Sequence, residues 1–214
     1  EYDVGPSTHP NTPSGNAPIF RSFDPVVSGT RWFPKRADVY SGTQVLGEIL
    51  PSYARNLKFR LIVRDNNPGA GNYAFQEMTF AVAGSAPFKV TYPNTNVSIP
   101  ALSPVTVTWD VASTNTTPVN CQNVNIKVTT DGGNTFTNVA GPVPNNGAAL
   151  VTLPNIQTTT ARIYIEAADN IFYDVSNANF SITQPVPVEL AAFSATADNG
   201  TVVLDWTTAT ETNN

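Results

Sequence analysis

Cysteine and histidine are almost absent from this 214-residue chain, each occurring once, as Cys121 and His9. A single cysteine permits no intramolecular disulfide and no cysteine-built zinc site. A single histidine excludes any His-His zinc motif, and a Ser-His-Asp triad would have to recruit His9 from a stretch rich in Pro, Thr and Asn. Charge is scarce as well: Asp, Glu, Lys and Arg make up 13% of the residues, roughly half the usual share. Eleven Lys and Arg against sixteen Asp and Glu give a formal net charge of -5 with no basic run. That balance argues against a nucleic-acid surface, because phosphate contacts need clustered Lys and Arg. No apolar run of about 18 residues occurs and no charged-then-apolar segment opens the chain, so neither a membrane span nor a signal peptide is predicted. Glu1 is accordingly expected not to be the start of the gene product.

What the chain does have is 41% apolar residues, a length sufficient for one large domain or two of about 100 residues, and many Thr, Asn and Ser to keep it soluble. That profile favours a β-rich extracellular protein. Glu1 to Asn16, with Pro6, Pro10 and Pro13 and no period of either kind, reads as a loop. Ile19 to Phe23 and Gln44 to Leu50 are expected as short strands. From Leu57 to Val63 the residues Leu57, Phe59, Leu61 and Val63 alternate with Lys58, Arg60 and Ile62, which predicts a half-buried strand with the odd positions facing inward. Asp65-Asn66-Asn67-Pro68-Gly69 then supplies turn chemistry and Phe75 to Val82 a return strand, giving a hairpin near the end of a β-sandwich.

The small residues of Ala83 to Pro87 have almost nothing to bury and mark a domain boundary. Beyond it Val105, Val107, Trp109 and Val111 alternate with Thr106, Thr108 and Asp110. Val124, Ile126 and Val128 do the same with Asn125, Lys127 and Thr129. Asp131-Gly132-Gly133-Asn134 is a tight-turn signal, since glycine reaches positive φ without steric cost. Ala148 to Leu153, Ala161 to Ala167 and Phe180 to Ile182 complete six or seven short strands between Phe88 and Thr183, the signature of an immunoglobulin-like sandwich. Trp109, Val107, Ile126, Val128, Ile163 and Ile165 are its expected core. Gln184-Pro185-Val186-Pro187 marks a second boundary. Past it, Val188 to Ala195 and Thr201 to Trp206 form a hairpin turning at Asn199-Gly200, whose Val202, Leu204 and Trp206 stripe two strands alone cannot bury.

The predicted fold is therefore all-β, with tandem immunoglobulin-like or fibronectin-like β-sandwiches. Residues 1–84 are expected to form a first sandwich lacking its opening strands, 85–184 a second, and 185–214 the start of a truncated third β-domain.

The second unit resembles an Ig-like module of bacterial surface and secreted proteins. The resemblance is carried by Val90-Thr91-Tyr92-Pro93-Asn94, Val105 to Val111, Thr130-Asp131-Gly132-Gly133-Asn134-Thr135-Phe136 and Asp169 to Phe180. Together with Pro18 to Phe23, Arg31-Trp32-Phe33-Pro34, Glu48 to Ser52 and Phe59 to Asn66, the order is similar to the carboxy-terminal half of secreted reprolysin-like zinc metallopeptidases of Bacteroidetes. Pro187-Val188-Glu189-Leu190 and Leu204 to Asn214 look like the start of the linker before a type IX secretion sorting domain. The resemblance implies export to the medium or cell surface, a zinc-binding helix in an upstream catalytic domain, a downstream sorting domain, and no catalytic residue in this segment. In the family the first unit begins with further strands, so its sheet is expected to carry an exposed edge. The function so implied is a non-catalytic spacer that positions the upstream domain and contacts protein substrate. The alternative from another class is a glycan- or protein-binding adhesion module of the bacterial surface.

Candidate sites are few. Asp169, Asn170 and Asp174 could supply hard oxygen ligands to calcium, against the commoner role of Asp and Asn in bonding their own turns. Asp65, Asn66 and Asn67 carry the same two readings. Trp32, Phe33, Tyr40 and Tyr53 could form an aromatic platform for a sugar ring, against the commoner role of filling a core or covering an edge. Glu48 and Glu77 could be proposed as a glycosidase pair, though solvated strand carboxylates are far commoner. Cys121 reads as a small buried residue or a loop thiol.

Overall fold

The computed structural model describes the chain except residues 3, 4, 6, 7, 10, 11, 23, 25, 26, 85, 185–189, 199 and 210–214. It is built almost wholly of antiparallel strands. β1 (Arg55–Arg64) and β2 (Tyr73–Val82) pair from Arg55↔Val82 to Arg64↔Tyr73. Nine strands follow in residues 89–183: β3 (Lys89–Tyr92), β4 (Ser98–Pro100), β5 (Pro104–Asp110), β6 (Asn123–Thr129), β7 (Thr137–Pro144), β8 (Ala148–Thr152), β9 (Thr158–Ala167), β10 (Tyr173–Val175) and β11 (Phe180–Thr183). A final hairpin joins β12 (Leu190–Asp198) to β13 (Thr201–Thr208).

The nine strands make two sheets, β3-β5-β8 and β4-β11-β9-β6-β7 with β10 on β9. The alternation read from the sequence is what closes them on each other. Val105, Val107 and Trp109 from β5 meet Val124, Ile126 and Val128 from β6 and Ile163 and Ile165 from β9, all buried in one core with Phe180 and Ile182. All six expected core residues are in it. Burying side chains of this size contributes about 1.5–3 kcal/mol each, so this sandwich holds most of the molecule's hydrophobic stabilisation. The sequence pattern names no strand at β3, β4, β7 or β10. Gly141, Pro142 and Pro144 break the strand pattern of β7, which lies at a sheet edge where proline is tolerated. β10 has only three residues. Val111, expected at the end of β5, lies just beyond it.

In residues 1–84 the described elements are one two-stranded sheet, the short helix α1 (Arg36–Ser41) and isolated bridges. The facing sheet that a sandwich requires is not among them. Ile19 to Phe23 and Gln44 to Leu50 are not strands: Phe20 and Val45 each bridge to Glu48 alone, and Phe23 lies outside the described residues. Ile19, Phe20, Ile49 and Leu57 pack as a small cluster against Phe33, Phe59 and Phe80. That cluster reaches only the first half of β1, so Leu61 (67% exposed) and Val63 (60% exposed), expected to face inward, lie open to solvent. Alternation sets which face a side chain takes; burial needs a second layer above that face. The same holds for Val202, Leu204 and Trp206, all exposed on the two-stranded ribbon β12–β13. Residues 185–187 of the expected boundary, the turn residue Asn199 and the tail beyond Ala209 fall outside the described residues.

Candidate functional site

The three candidate calcium ligands sit on the β9–β10 hairpin, which Ala167 closes by donating its amide to Phe172 O at 3.0 Å. Asn170 Oδ1 accepts the Ile171 amide at 2.8 Å. Asp174 Oδ2 accepts the Val90 amide of β3 at 2.7 Å, tying one sheet to the other. Burial pushes the Asp174 carboxyl up to about 6, opposed by the Val90 and Val175 amides and by Lys89. Asn170 thus bonds its own turn, as turn residues do, while Asp174 bonds the backbone of the facing sheet. The described residues contain no group of three or more His, Cys, Asp or Glu able to hold a metal ion.

Asp65 is likewise taken by its own loop: Oδ1 accepts the amides of Asn67 and Asn72 at 3.1 and 3.0 Å. Asn67 Oδ1 accepts the Gly69 amide. Asp131 organises the turn after β6. Its carboxylate accepts from the Thr129 hydroxyl, the Asn134 amide and both the amide and hydroxyl of Thr135. These donors hold its carboxyl well below the usual carboxylate range. Gly132 and Gly133 follow at φ +73 and +98, conformations a Cβ disfavours.

The four aromatics of the supposed platform do separate jobs. Trp32 packs edge-on against Tyr173 and Tyr164, with ring centres 4.8 and 6.1 Å apart. Phe33 joins Phe20 and Phe59 in the small cluster. The Tyr53 hydroxyl donates to Gly15 O. The Tyr40 hydroxyl donates to Gly133 O at 3.2 Å, and Arg162 Nη1 donates to Tyr40 O at 2.7 Å and to Ser176 O at 2.9 Å. Trp32 and Tyr40 therefore join residues 31–42 to the sandwich. In the pleat of β9, Arg162 lies on the face opposite the core residues Ile163 and Ile165. Nothing in a linear pattern signals a partner 122 residues away.

Glu48 and Glu77 occupy different surroundings. Glu48 is 2% exposed; its Oε2 accepts the Lys35 amide at 3.0 Å, and Arg31 Nη2 lies 3.8 Å from Oε1. Burial pushes its carboxyl above the usual range, against the pull of the Lys35 amide and Arg31. Glu77, on the exposed hairpin, pairs with Arg60 and Lys58, and its carboxyl is held below that range, chiefly by Arg60. Cys121 is buried, its thiol donating to Asn123 O at 3.2 Å, and burial pushes the thiol up. A cavity of about 810 Å³ is lined by Phe33, Phe59, Phe88 and Phe172 among others. Tyr173 lines it as well, and its buried hydroxyl meets no hydrogen-bond partner among the described residues.

No family model and no curated protein matches the chain. Among solved structures it is similar to the crystal structure of the FN1–FN3 domains of chicken CNTN1, at 13% identity and a TM-score of 0.30, over 77% of this chain. The chain spans 55% of that structure's length. Its own two facing sheets and shared core define the class: an all-β protein built around an immunoglobulin-like β-sandwich. No helix among the described residues is long and apolar enough to cross a membrane.

Proposed function

We propose that the chain is a non-catalytic accessory region of a secreted zinc metallopeptidase, spacing an upstream catalytic domain from a downstream sorting domain and contacting protein substrate. The observation that carries this reading is the joint between residues 31–42 and the sandwich. A spacer must transmit position, and Arg162, bonded to both Tyr40 O and Ser176 O, ties the preceding segment to the sandwich it leads into. The turn Thr130 to Phe136, part of the resemblance to the metallopeptidases, supplies the Gly133 carbonyl to that joint. In this reading zinc belongs to the upstream domain and the protein works outside the cell or on its surface. A calcium ion at Asp169, Asn170 and Asp174 would have to compete for Asp174 with the Val90 amide, and titration calorimetry with calcium chloride measures whether it does.

The test compares proteolysis of an unfolded protein by the full-length secreted protein, by the same protein lacking residues 1–183, and by this chain alone. Activity in the first two and none in the third is the expected result. Chelator-resistant activity in this chain alone would overturn the proposal. A glycan array probed with the chain tests the adhesion alternative, in which specific glycan binding would replace the spacer reading.

A further inference from the structure

The small residues that join the hairpin β1–β2 to the sandwich border a space that the fold does not fill. Ala83, Gly84, Ala86 and Pro87 all line the cavity of about 810 Å³, and their short side chains occupy little of it. Its volume falls within the range of small-molecule sites, about 300–1,000 Å³, and far exceeds the roughly 30 Å³ taken by one water molecule.

The apolar lining is aromatic and comes in pairs. Phe59 and Phe80 of the hairpin stack with ring planes 5° apart and centres at 5.5 Å. Phe88 and Phe172 of the sandwich have ring centres 4.9 Å apart. All four line the cavity, and the two hydrophobic clusters of the molecule both reach it, one through Phe59 and Phe80 and the other through Phe88 and Phe172. Such ring surfaces favour another flat ring in offset or edge-on contact.

The few polar groups set what else the ligand carries. Tyr173 lines the cavity, and its buried hydroxyl meets no hydrogen-bond partner among the described residues. A buried hydroxyl left unbonded costs free energy that an oxygen of a ligand would recover. The charged lining residues are Arg31, Glu166 and Asp174. Arg31 lies 3.8 Å from Glu48 and Glu166 pairs with Lys127 at 2.6 Å, whereas Asp174 is held by the Val90 amide rather than by a cation. The balance around the cavity is therefore negative, which disfavours an anion.

We propose that this cavity is a binding site for a small uncharged aromatic molecule bearing an oxygen function, its ring against Phe59, Phe80, Phe88 and Phe172 and its oxygen hydrogen-bonded to the Tyr173 hydroxyl. The ring contacts provide affinity, and the hydroxyl and Asp174 provide selection between polar ends.

The experiment uses the full chain and fluorine NMR line broadening near neutral pH with three probes: 4-(trifluoromethyl)phenol, (trifluoromethyl)benzene, which lacks the oxygen, and 4-(trifluoromethyl)benzoate, which is an anion. The phenol should bind with a Kd below about 1 mM and the benzoate about tenfold or more weakly. Tyr173→Phe should weaken the phenol about fivefold and leave (trifluoromethyl)benzene unchanged. Ala83→Trp, checked for folding by its thermal melt, should abolish binding of both by occupying the space. No binding of the phenol at about 1 mM, an affinity for it unchanged by Tyr173→Phe, or equal binding of the benzoate overturns the proposal. Either result leaves the spacer reading untouched, because that reading rests on the Tyr40–Arg162 joint and is tested by proteolysis.

Discussion

Trp109 Nε1 donates to Asn145 Oδ1 at 2.9 Å in the interior of the sandwich. Asn145 is 2% exposed and spends its own Nδ2 protons on Thr114 Oγ1 at 2.9 Å and Cys121 O at 3.1 Å. The largest core side chain is thereby fixed to the loops at one end of the sandwich through one buried amide. Truncating Trp109 to Ala should destabilise the chain by about 3–5 kcal/mol. Asn145→Leu should cost about 1–3 kcal/mol by leaving the indole N–H buried without an acceptor. Urea denaturation measures both; a midpoint unmoved by Trp109→Ala would contradict the core assignment.

Arg162 and Tyr40 should prove coupled. Tyr40→Phe removes only the bond to Gly133 O, a loss of about 0.5–1.5 kcal/mol. Arg162→Ala removes the bonds to Tyr40 O and Ser176 O together. Hydrogen exchange should quicken across residues 31–42 in Arg162→Ala while the amides of β5 and β6 keep their protection. Uniform loss of protection would mean that Arg162 stabilises the whole sandwich rather than the joint.

Two adjacent glycines should respond differently to alanine. A Cβ on Gly132 would meet open space, leaving only the strain of φ +73. A Cβ on Gly133 would collide with the Tyr40 ring and would also be strained at φ +98. Gly133→Ala should therefore be the more damaging, and Tyr40→Ala should relieve part of its extra cost but none of the strain. Thermal unfolding of the two single variants and the double variant measures this; equal losses in Gly132→Ala and Gly133→Ala would refute it.

Asp174 sets the sign of one pH dependence. Its folded-state value near 6 lies above that of an unfolded Asp, about 3.9, so the folded chain binds the extra proton between those limits. Stability contributed by this group is full below about pH 4 and declines as pH rises through 6. The penalty at neutral pH is roughly 2–3 kcal/mol. Asp131 and Glu77, held below the usual range, act oppositely and at lower pH. Between pH 4.5 and 6.5 the melting temperature of Asp174→Asn should fall less with rising pH than that of the parent chain. Parallel curves would show that Asp174 is not the group responsible.

Much of the sandwich was legible from period and punctuation. Val105-Val107-Trp109, Val124-Ile126-Val128 and Ile163-Ile165 alternate with polar residues, and each trio or pair lies in the core. Asp131-Gly132-Gly133-Asn134 turns where its chemistry demands. β7 was illegible because Gly141, Pro142 and Pro144 mask a strand that survives at an edge. Arg162 and Tyr164 share the face of β9 opposite Ile163 and Ile165, yet Tyr164 is buried, because Trp32, Phe136 and Tyr173 cover it.

The sequence by itself determined that this is a β protein, which residues share a strand face, where the turns fall, and that chemistry needing paired histidines or cysteines has no place in it. Those properties depend on neighbours two to five positions apart, through the pleat and through turn conformation. Tertiary structure alone decided which faces are covered. Leu61 and Val63 alternate as faithfully as Val105 and Val107, but only the latter meet a second sheet. It also decided that Arg162 closes on Tyr40, and that the Tyr2 amide meets Lys58 O on β1. Such contacts join residues far apart in the chain, and no local pattern encodes them.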